Sequence, residues 1–283
     1  MSTKCKVALF QMDCKLGETG VNVEKCLTAI SQAAGLGCSL IVFPELALSG
    51  YNVTSLEEAL QFAIPVDSPY IKGLTEACKN NNIYAAVGYM EVREGKVYNS
   101  AALLGPEGLL QNYSKMHMPN IGLDKFAEKG QPPLPPSETA IGKISMIVCY
   151  DIRFPELTRH FALKGADMVI NLTNWPRGSE HTREVLPIAR AFENKIYFMS
   201  CNRVGDERGS HFIGGSRIVD PNGRIIAQAG EEGEEMITAE IDVALARQKY
   251  FFSQEGNWSI DADKDRRPDV FGNIDILTPP CED

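Results

Sequence analysis

The stretch from Lys143 to Leu172, KISMIVCYDIRFPELTRHFALKGADMVINL, reads as strand, helix, strand. An apolar run from Lys143 closes at Cys149, Glu156 to Lys164 carries a helical pattern, and Met168 to Leu172 is a second strand. Working outward, a helix over Thr182 to Lys195 and a strand over Ile196 to Asn202 follow. Toward the N-terminus the same grammar recurs. A strand at Lys6 to Met12 leads to an amphipathic helix at Val21 to Ala34, punctuated by Gly35 and Gly37. Ser39 to Phe43 is a continuous apolar run, as in strands buried on both faces. A helix at Tyr70 to Asn80 precedes strands at Ile83 to Tyr89 and Val97 to Leu104, the latter pair joined by the turn Arg93-Glu94-Gly95-Lys96. This alternation is the signature of an α/β fold.

Late strands cluster instead of alternating. Gly214 to Val219 and Arg224 to Ala229 flank Asp220-Pro221-Asn222-Gly223, a hairpin signal, and Met236 to Ile241 adds another strand. Such hairpins count against a purely parallel doubly wound sheet. The stretch Gln131 to Pro136 is proline-rich and reads as a stiff surface connector, because the alternation resumes after it. One domain over residues 1–283 is expected, with 250–283 as a polar C-terminal extension that contacts a partner subunit.

The formal charge of −9 and pI of about 5.1 disfavour a surface built for nucleic acid or acidic lipid, and point to a small-molecule substrate. Eight cysteines are scattered without CxxC pairs, and four histidines never form HxH or HExxH, so neither a metal nor another cofactor is expected. No GxGxxG follows the first strand, which sets aside a dinucleotide-binding oxidoreductase. The opening MSTKCKVALF lacks a signal-peptide apolar region and no apolar run is long enough for a membrane span; a cytoplasmic protein with free thiols is expected.

Three residues stand where chemistry is possible. Glu45 follows the apolar strand at Phe43-Pro44, where desolvation raises a carboxylate toward general-base values; the competing reading is an ordinary ion pair or helix cap. Cys149 ends a strand just before a helix, whose N-terminus favours a thiolate and an oxyanion; the competing reading is a small buried hydrophobe. Lys115, in Tyr113-Ser114-Lys115-Met116-His117, has the charge to hold an anionic tetrahedral intermediate, although a lone lysine is ordinarily a surface group.

At these points the sequence resembles the nitrilase superfamily of carbon–nitrogen hydrolases, whose members carry a Glu–Lys–Cys set in this order. Phe43-Pro44-Glu45-Leu46 with Ser49-Gly50-Tyr51 is similar to the glutamate segment, Tyr113 to His117 to the lysine segment, and Cys149-Tyr150-Asp151-Ile152-Arg153-Phe154-Pro155-Glu156 to the nucleophile segment. Further similarity lies in Asn174-Trp175-Pro176, in Ala189 to Asn194, in Asn202 to Gly205 and in Gly215 to Gly223. The resemblance implies a four-layer αββα sandwich, a homodimer or higher homo-oligomer, and amide hydrolysis by Glu45, Lys115 and Cys149 through a thioester. It fits the amidase and ω-amidase branches better than true nitrilases, with N-carbamoyl amide hydrolysis as the alternative. A dimeric binding scaffold without catalysis is the reading from another class, and the intact set argues against it. Many members place a second glutamate between lysine and nucleophile; here Asp124 or Glu128 stands in its place. Tyr51, Tyr150, Asn174 and Trp175 are candidates for the substrate pocket, with Trp175 equally readable as core. Arg153 is expected to pair with Glu156 ahead of binding a substrate carboxylate.

Overall fold

The computed structural model describes residues 3–132, 134–252 and 255–271. In chain order its strands begin with β1 (Lys4–Gln11), β2 (Leu40–Val42), β3 (Tyr84–Arg93), β4 (Lys96–Gly105), β5 (Gly108–Ser114), β6 (Ser137–Thr139), β7 (Gly142–Val148), β8 (Met168–Thr173) and β9 (Tyr197–Asn202). They continue with β10 (Val204–Glu207), β11 (Ser210–Ile213), β12 (Arg217–Val219), β13 (Ile225–Gln228), β14 (Glu235–Asp242), β15 (Tyr250–Phe252) and β16 (Ser259–Asp261). The helices are α1 (Thr19–Gly35), α2 (Leu56–Phe62), α3 (Pro69–Asn81), α4 (Pro155–Leu163), α5 (Glu180–Asn194), α6 (Val243–Arg247) and α7 (Pro268–Phe271).

Two six-stranded sheets form, ordered β14-β1-β2-β3-β4-β5 and β13-β12-β9-β8-β7-β6. They share one plan: three parallel strands at the centre (β1, β2, β3 and β7, β8, β9) with antiparallel strands on the flanks. Each central triplet is apolar on both faces, because one face meets the other sheet and the other meets helices. Val7, Leu9, Leu40, Val42 and Ala86 fall in the core shared with β7, β8 and β9, whereas Ala8, Ile41, Ala85 and Val87 pack with Ile30, Ile71 and Leu74 of α1 and α3. The Cys201 thiol of β9 reaches across to the carbonyls of Phe10 and Val42, at 3.4 and 3.2 Å. On the far side α4 and α5 bury Leu157, Phe161 and Ala191 against the second sheet. The architecture is thus a four-layer αββα sandwich.

The expected strands and helices are present with shifts of a few residues, and the turn after β3 closes as a two-residue hairpin, with Glu94 and Gly95 both at positive φ (54° and 74°). The sequence analysis did not single out α2, β5, β6, α6 or the β10–β11 hairpin. The C-terminal segment, read as lightly patterned, contains the β15–β16 hairpin and α7; residues 253–254 and 272–283 of the expected extension, Cys281 among them, lie outside the described residues. The other seven cysteines are free thiols, five of them buried. Among the described residues no helix is long and apolar enough to cross a membrane.

Candidate active site

The site gathers at the C-terminal ends of the parallel strands, where each chain leaves its sheet. Past β2, Phe43-Pro44 carries Glu45, and Leu46 turns back at φ 49°. Gly88 in β3 makes room for this turn: a Cβ there would lie 2.6 Å from the Pro44 carbonyl oxygen and 2.5 Å from the Leu46 nitrogen. Past β5 the next residue is Lys115, its N–H still bonded to the Asn99 carbonyl at 2.8 Å. Past β7, Cys149 opens a 3-10 turn (Cys149–Arg153) with φ 47°. That left-handed conformation is costly for a residue with a side chain and persists where surroundings enforce it.

Asp151 is one enforcer. Fully buried, it accepts from the backbone N–H of Val148 (3.0 Å) and the Tyr113 hydroxyl (2.7 Å) through one oxygen, and from the His117 backbone N–H (3.0 Å) through the other, which also bonds His117 Nδ1 (2.7 Å). The lysine and cysteine segments are thereby joined through a single carboxylate.

The Lys115 ammonium is completely buried between two carboxylates, 2.8 Å from Glu45 Oε1 and 2.6 Å from Asp124 Oδ2. Asn99, also fully buried, donates its side-chain amide to Glu45 Oε1 (2.7 Å) and to Asp124 Oδ1 (2.9 Å). The Tyr51 hydroxyl donates to Asp124 Oδ2 at 2.9 Å. Both Asp124 oxygens are therefore occupied, whereas Glu45 Oε2 is buried with no protein partner. Burial works against the ammonium, yet the flanking charges of Asp124 and Glu45 win and hold Lys115 protonated, its pKa well above that of a free lysine. Glu45 is raised above the ordinary carboxylate value, first by burial and then by the charge of Asp124, against the pull of Lys115.

The Cys149 thiol is pushed up to about 12, first by burial and then by the Glu45 charge; Lys115, the Thr173 side chain and the Asn174 backbone N–H pull it down only in part. This corrects the expectation of a thiolate favoured by a helix N-terminus. The helix proper begins at Pro155, beyond the 3-10 turn, so its dipole does not start at Cys149.

A cavity of about 150 Å³ opens beside Cys149, lined among others by Tyr51, Tyr150, Arg153, Asn174, Trp175 and Thr182. Trp175 is 3 % exposed, packs in the main core and also lines this cavity. Asp124 lies beneath the cavity, bonded to Lys115, rather than on its wall. Glu128 is half exposed, 3.6 Å from Lys96, and its backbone N–H bonds to the Val97 carbonyl. The chain has left the site by then, so of the two expected counterparts Asp124 alone joins the cluster. The expected Arg153–Glu156 pair does not form: Arg153 precedes α4, and its Nη2 donates to the Thr182 hydroxyl at 2.8 Å. Asn99, Asp151 and Thr173 were not singled out from the sequence; a polar residue inside the apolar run Val97 to Leu104 was the one available hint for Asn99.

A profile of the carbon–nitrogen hydrolase family matches residues 6–250. The chain belongs to that family. A nitrilase of Pyrococcus abyssi is 34% identical over 268 residues, 94% of this chain and 98% of its own length. An omega-amidase of Xenopus laevis is 33% identical, covering 78% and 83%. The solved structure of Saccharomyces cerevisiae Nit3, a nitrilase-superfamily member, superposes with a TM-score of 0.75 at 28% identity, over 87% of this chain and 92% of that one. Membership makes it a hydrolase of carbon–nitrogen bonds.

A raised thiol pKa keeps Cys149 neutral below it and yields thiolate only above it. The ultraviolet thiolate absorbance that distinguishes the wild type from Cys149→Ala should be absent at about pH 7 and appear only in strongly alkaline solution. A Cys149 thiolate signal at neutral pH would contradict this electrostatic account.

Proposed function

We propose that this hydrolase cleaves the primary amide of a small molecule, with Cys149 as nucleophile, Glu45 as general base and acid, and Lys115 as oxyanion donor. The observation that carries the reading is the asymmetry of Glu45: Oε1 is fixed by Lys115 and Asn99, and Oε2 is the buried oxygen without a partner. A neutral thiol next to a base of raised pKa suits proton transfer on attack, not a resting thiolate. Oε2 takes the thiol proton as Sγ bonds to the amide carbon. The negative charge that builds on the carbonyl oxygen is met by the Lys115 ammonium and the Tyr150 backbone N–H. Glu45 then returns the proton to nitrogen, the carbon–nitrogen bond breaks, and ammonia leaves a thioester. Water attacks it, Glu45 accepts a proton from that water and returns it to Sγ as the carbon–sulfur bond breaks, freeing the carboxylic acid and restoring the Cys149 thiol and the Glu45 carboxylate. Loss of one oxyanion donor raises the barrier by roughly 3 kcal/mol in comparable sites.

The cavity favours an ω-amide of a small acid. Arg153 stands on its wall, bonded to a neutral hydroxyl, with no ion pair among the described residues. A fork of this kind matches a carboxylate in a bidentate manner. Tyr51, Tyr150, Asn174 and Trp175 form the remaining substrate wall in this reading.

The chain is read as one catalytic unit, cytoplasmic, that pairs with a second copy through α5 and the C-terminal segment. Val185 and Phe192 of α5, Ile225 and Ile226 of β13, and Tyr250 and Phe252 of β15 are exposed apolar side chains. Lys195 lies over the rings of both Phe192 and Phe251, 4.4 Å from each, which joins α5 to the hairpin in one surface. An apolar surface of this kind is uncommon on a monomer.

Ammonia release from a panel of primary amides, ω-amides of dicarboxylic acids, N-carbamoyl compounds and nitriles tests the chemistry. ω-Amides should turn over best, Cys149→Ala should be inactive, and Arg153→Ala should raise KM on the acids about tenfold or more while sparing neutral amides. Carbon dioxide released together with ammonia would replace this reading with carbamoyl hydrolysis. Light scattering should give twice the chain mass, and Phe192→Glu should shift it toward the monomer; a monomeric wild type contradicts the pairing.

A further inference from the structure

Glu207, at the end of β10, is buried and remote in sequence from every catalytic segment, yet its carboxylate grips the loop behind Glu45. Its Oε1 accepts from the backbone N–H groups of Tyr51 (2.9 Å) and Asn52 (2.7 Å). The Asn52 side-chain amide donates back to the Glu207 carbonyl at 2.7 Å. Oε2 takes the guanidinium of Arg203 at 3.0 Å. Arg203 is itself fully buried, 3.1 Å from Asp13 and stacked 4.3 Å over the Phe212 ring. The fit is close: a Cβ on Gly50 would meet Glu207 Oε2 at 2.7 Å and the Leu16 backbone at 2.6 Å.

Tyr51 passes this anchoring on. Its carbonyl accepts from Leu123 N–H (3.0 Å), and its hydroxyl bonds to the Ile121 carbonyl (3.2 Å) and to Asp124 Oδ2 (2.9 Å). One residue thus fastens both the backbone and the acid of the turn that carries Asp124, and Asp124 holds Lys115. We propose that Glu207 is a positioning residue for the hydrolysis, fixing Tyr51 and through it the Asp124–Lys115 pair. The proposal rests on the amide-hydrolase reading above. It gives the β10–β11 hairpin, which joins no part of either sheet, a function: it carries the clamp from the second sheet to an acid beside the first.

Outer partners that orient metal ligands typically alter activity by 10–100-fold when removed, and an effect of that order is expected by analogy for a residue that orients an acid. Glu207→Gln weakens the grip without opening a cavity, and Glu207→Ala removes it. The expected result is a fall in kcat of about tenfold for Glu207→Gln and more for Glu207→Ala, with KM changed by less than about threefold. In a Tyr51→Phe background the Gln substitution should cost little more, because the two changes act on the same acid. Unchanged kcat in Glu207→Gln, or an undiminished loss in the Tyr51→Phe background, overturns the proposal. Amide hydrogen exchange over residues 121–126 reads the clamp without turnover and should be faster in Glu207→Gln. Unchanged exchange there counts against the clamp even if the enzyme has no activity on any amide, so failure of this proposal and failure of the functional reading are told apart.

Discussion

Everything near the reaction centre depends on one buried cation. An ammonium removed from water is held only by strong compensation, and Lys115 has it from Glu45, Asp124 and the orientation that Asn99 imposes on both acids. Burial is the first reason that Glu45 is raised and that the neighbouring thiol is discouraged from ionising, and the cluster's two negative charges against one positive add to it. The arrangement trades a ready thiolate for a poised base. In the proposed reaction the positive charge is already in place beside the carbonyl oxygen, so little reorganisation would accompany the step.

The fold supplies the precision this requires. Two sheets built on one plan lie face to face, and their parallel centres deliver Glu45 and Cys149 to the same end of the sandwich. Lys115 arrives from β5, an antiparallel flank, which makes its position depend on the β3–β4–β5 meander. Asp151 secures the lysine segment to the cysteine turn, and Tyr51 secures the Asp124 turn to the glutamate loop. The Asp151 cross-link bears directly on the turn in which Cys149 takes its left-handed conformation.

Much of this was legible in the sequence, for identifiable reasons. The apolar runs ending at Phe43 and Val148 marked strands whose last residues emerge at a common edge, and the segments around Glu45, Lys115 and Cys149 carried the family resemblance. Spacing could not decide between Asp124 and Glu128, because that depends on where a short 3-10 turn ends; it ends at Lys125, and Glu128 is carried outward. The i, i+3 spacing of Arg153 and Glu156 suggested a helical pair, but Arg153 lies before the helix begins. Asn99 and Glu207 were out of reach. Each acts through partners tens to more than a hundred residues away, and neither periodicity nor a local motif records such contacts.

The pH dependence of kcat/KM on the best amide substrate tests the central claim most directly, since it reports the free enzyme's essential base. A folded pKa raised above the ordinary carboxylate value means that Glu45 is protonated, and activity lost, at a pH where a typical glutamate is still ionised. The account predicts an acid limb clearly above about 4.3, the unperturbed glutamate value, with activity lost in Glu45→Gln. An acid limb at or below that value, or a Glu45→Gln variant with near-normal turnover, would contradict it.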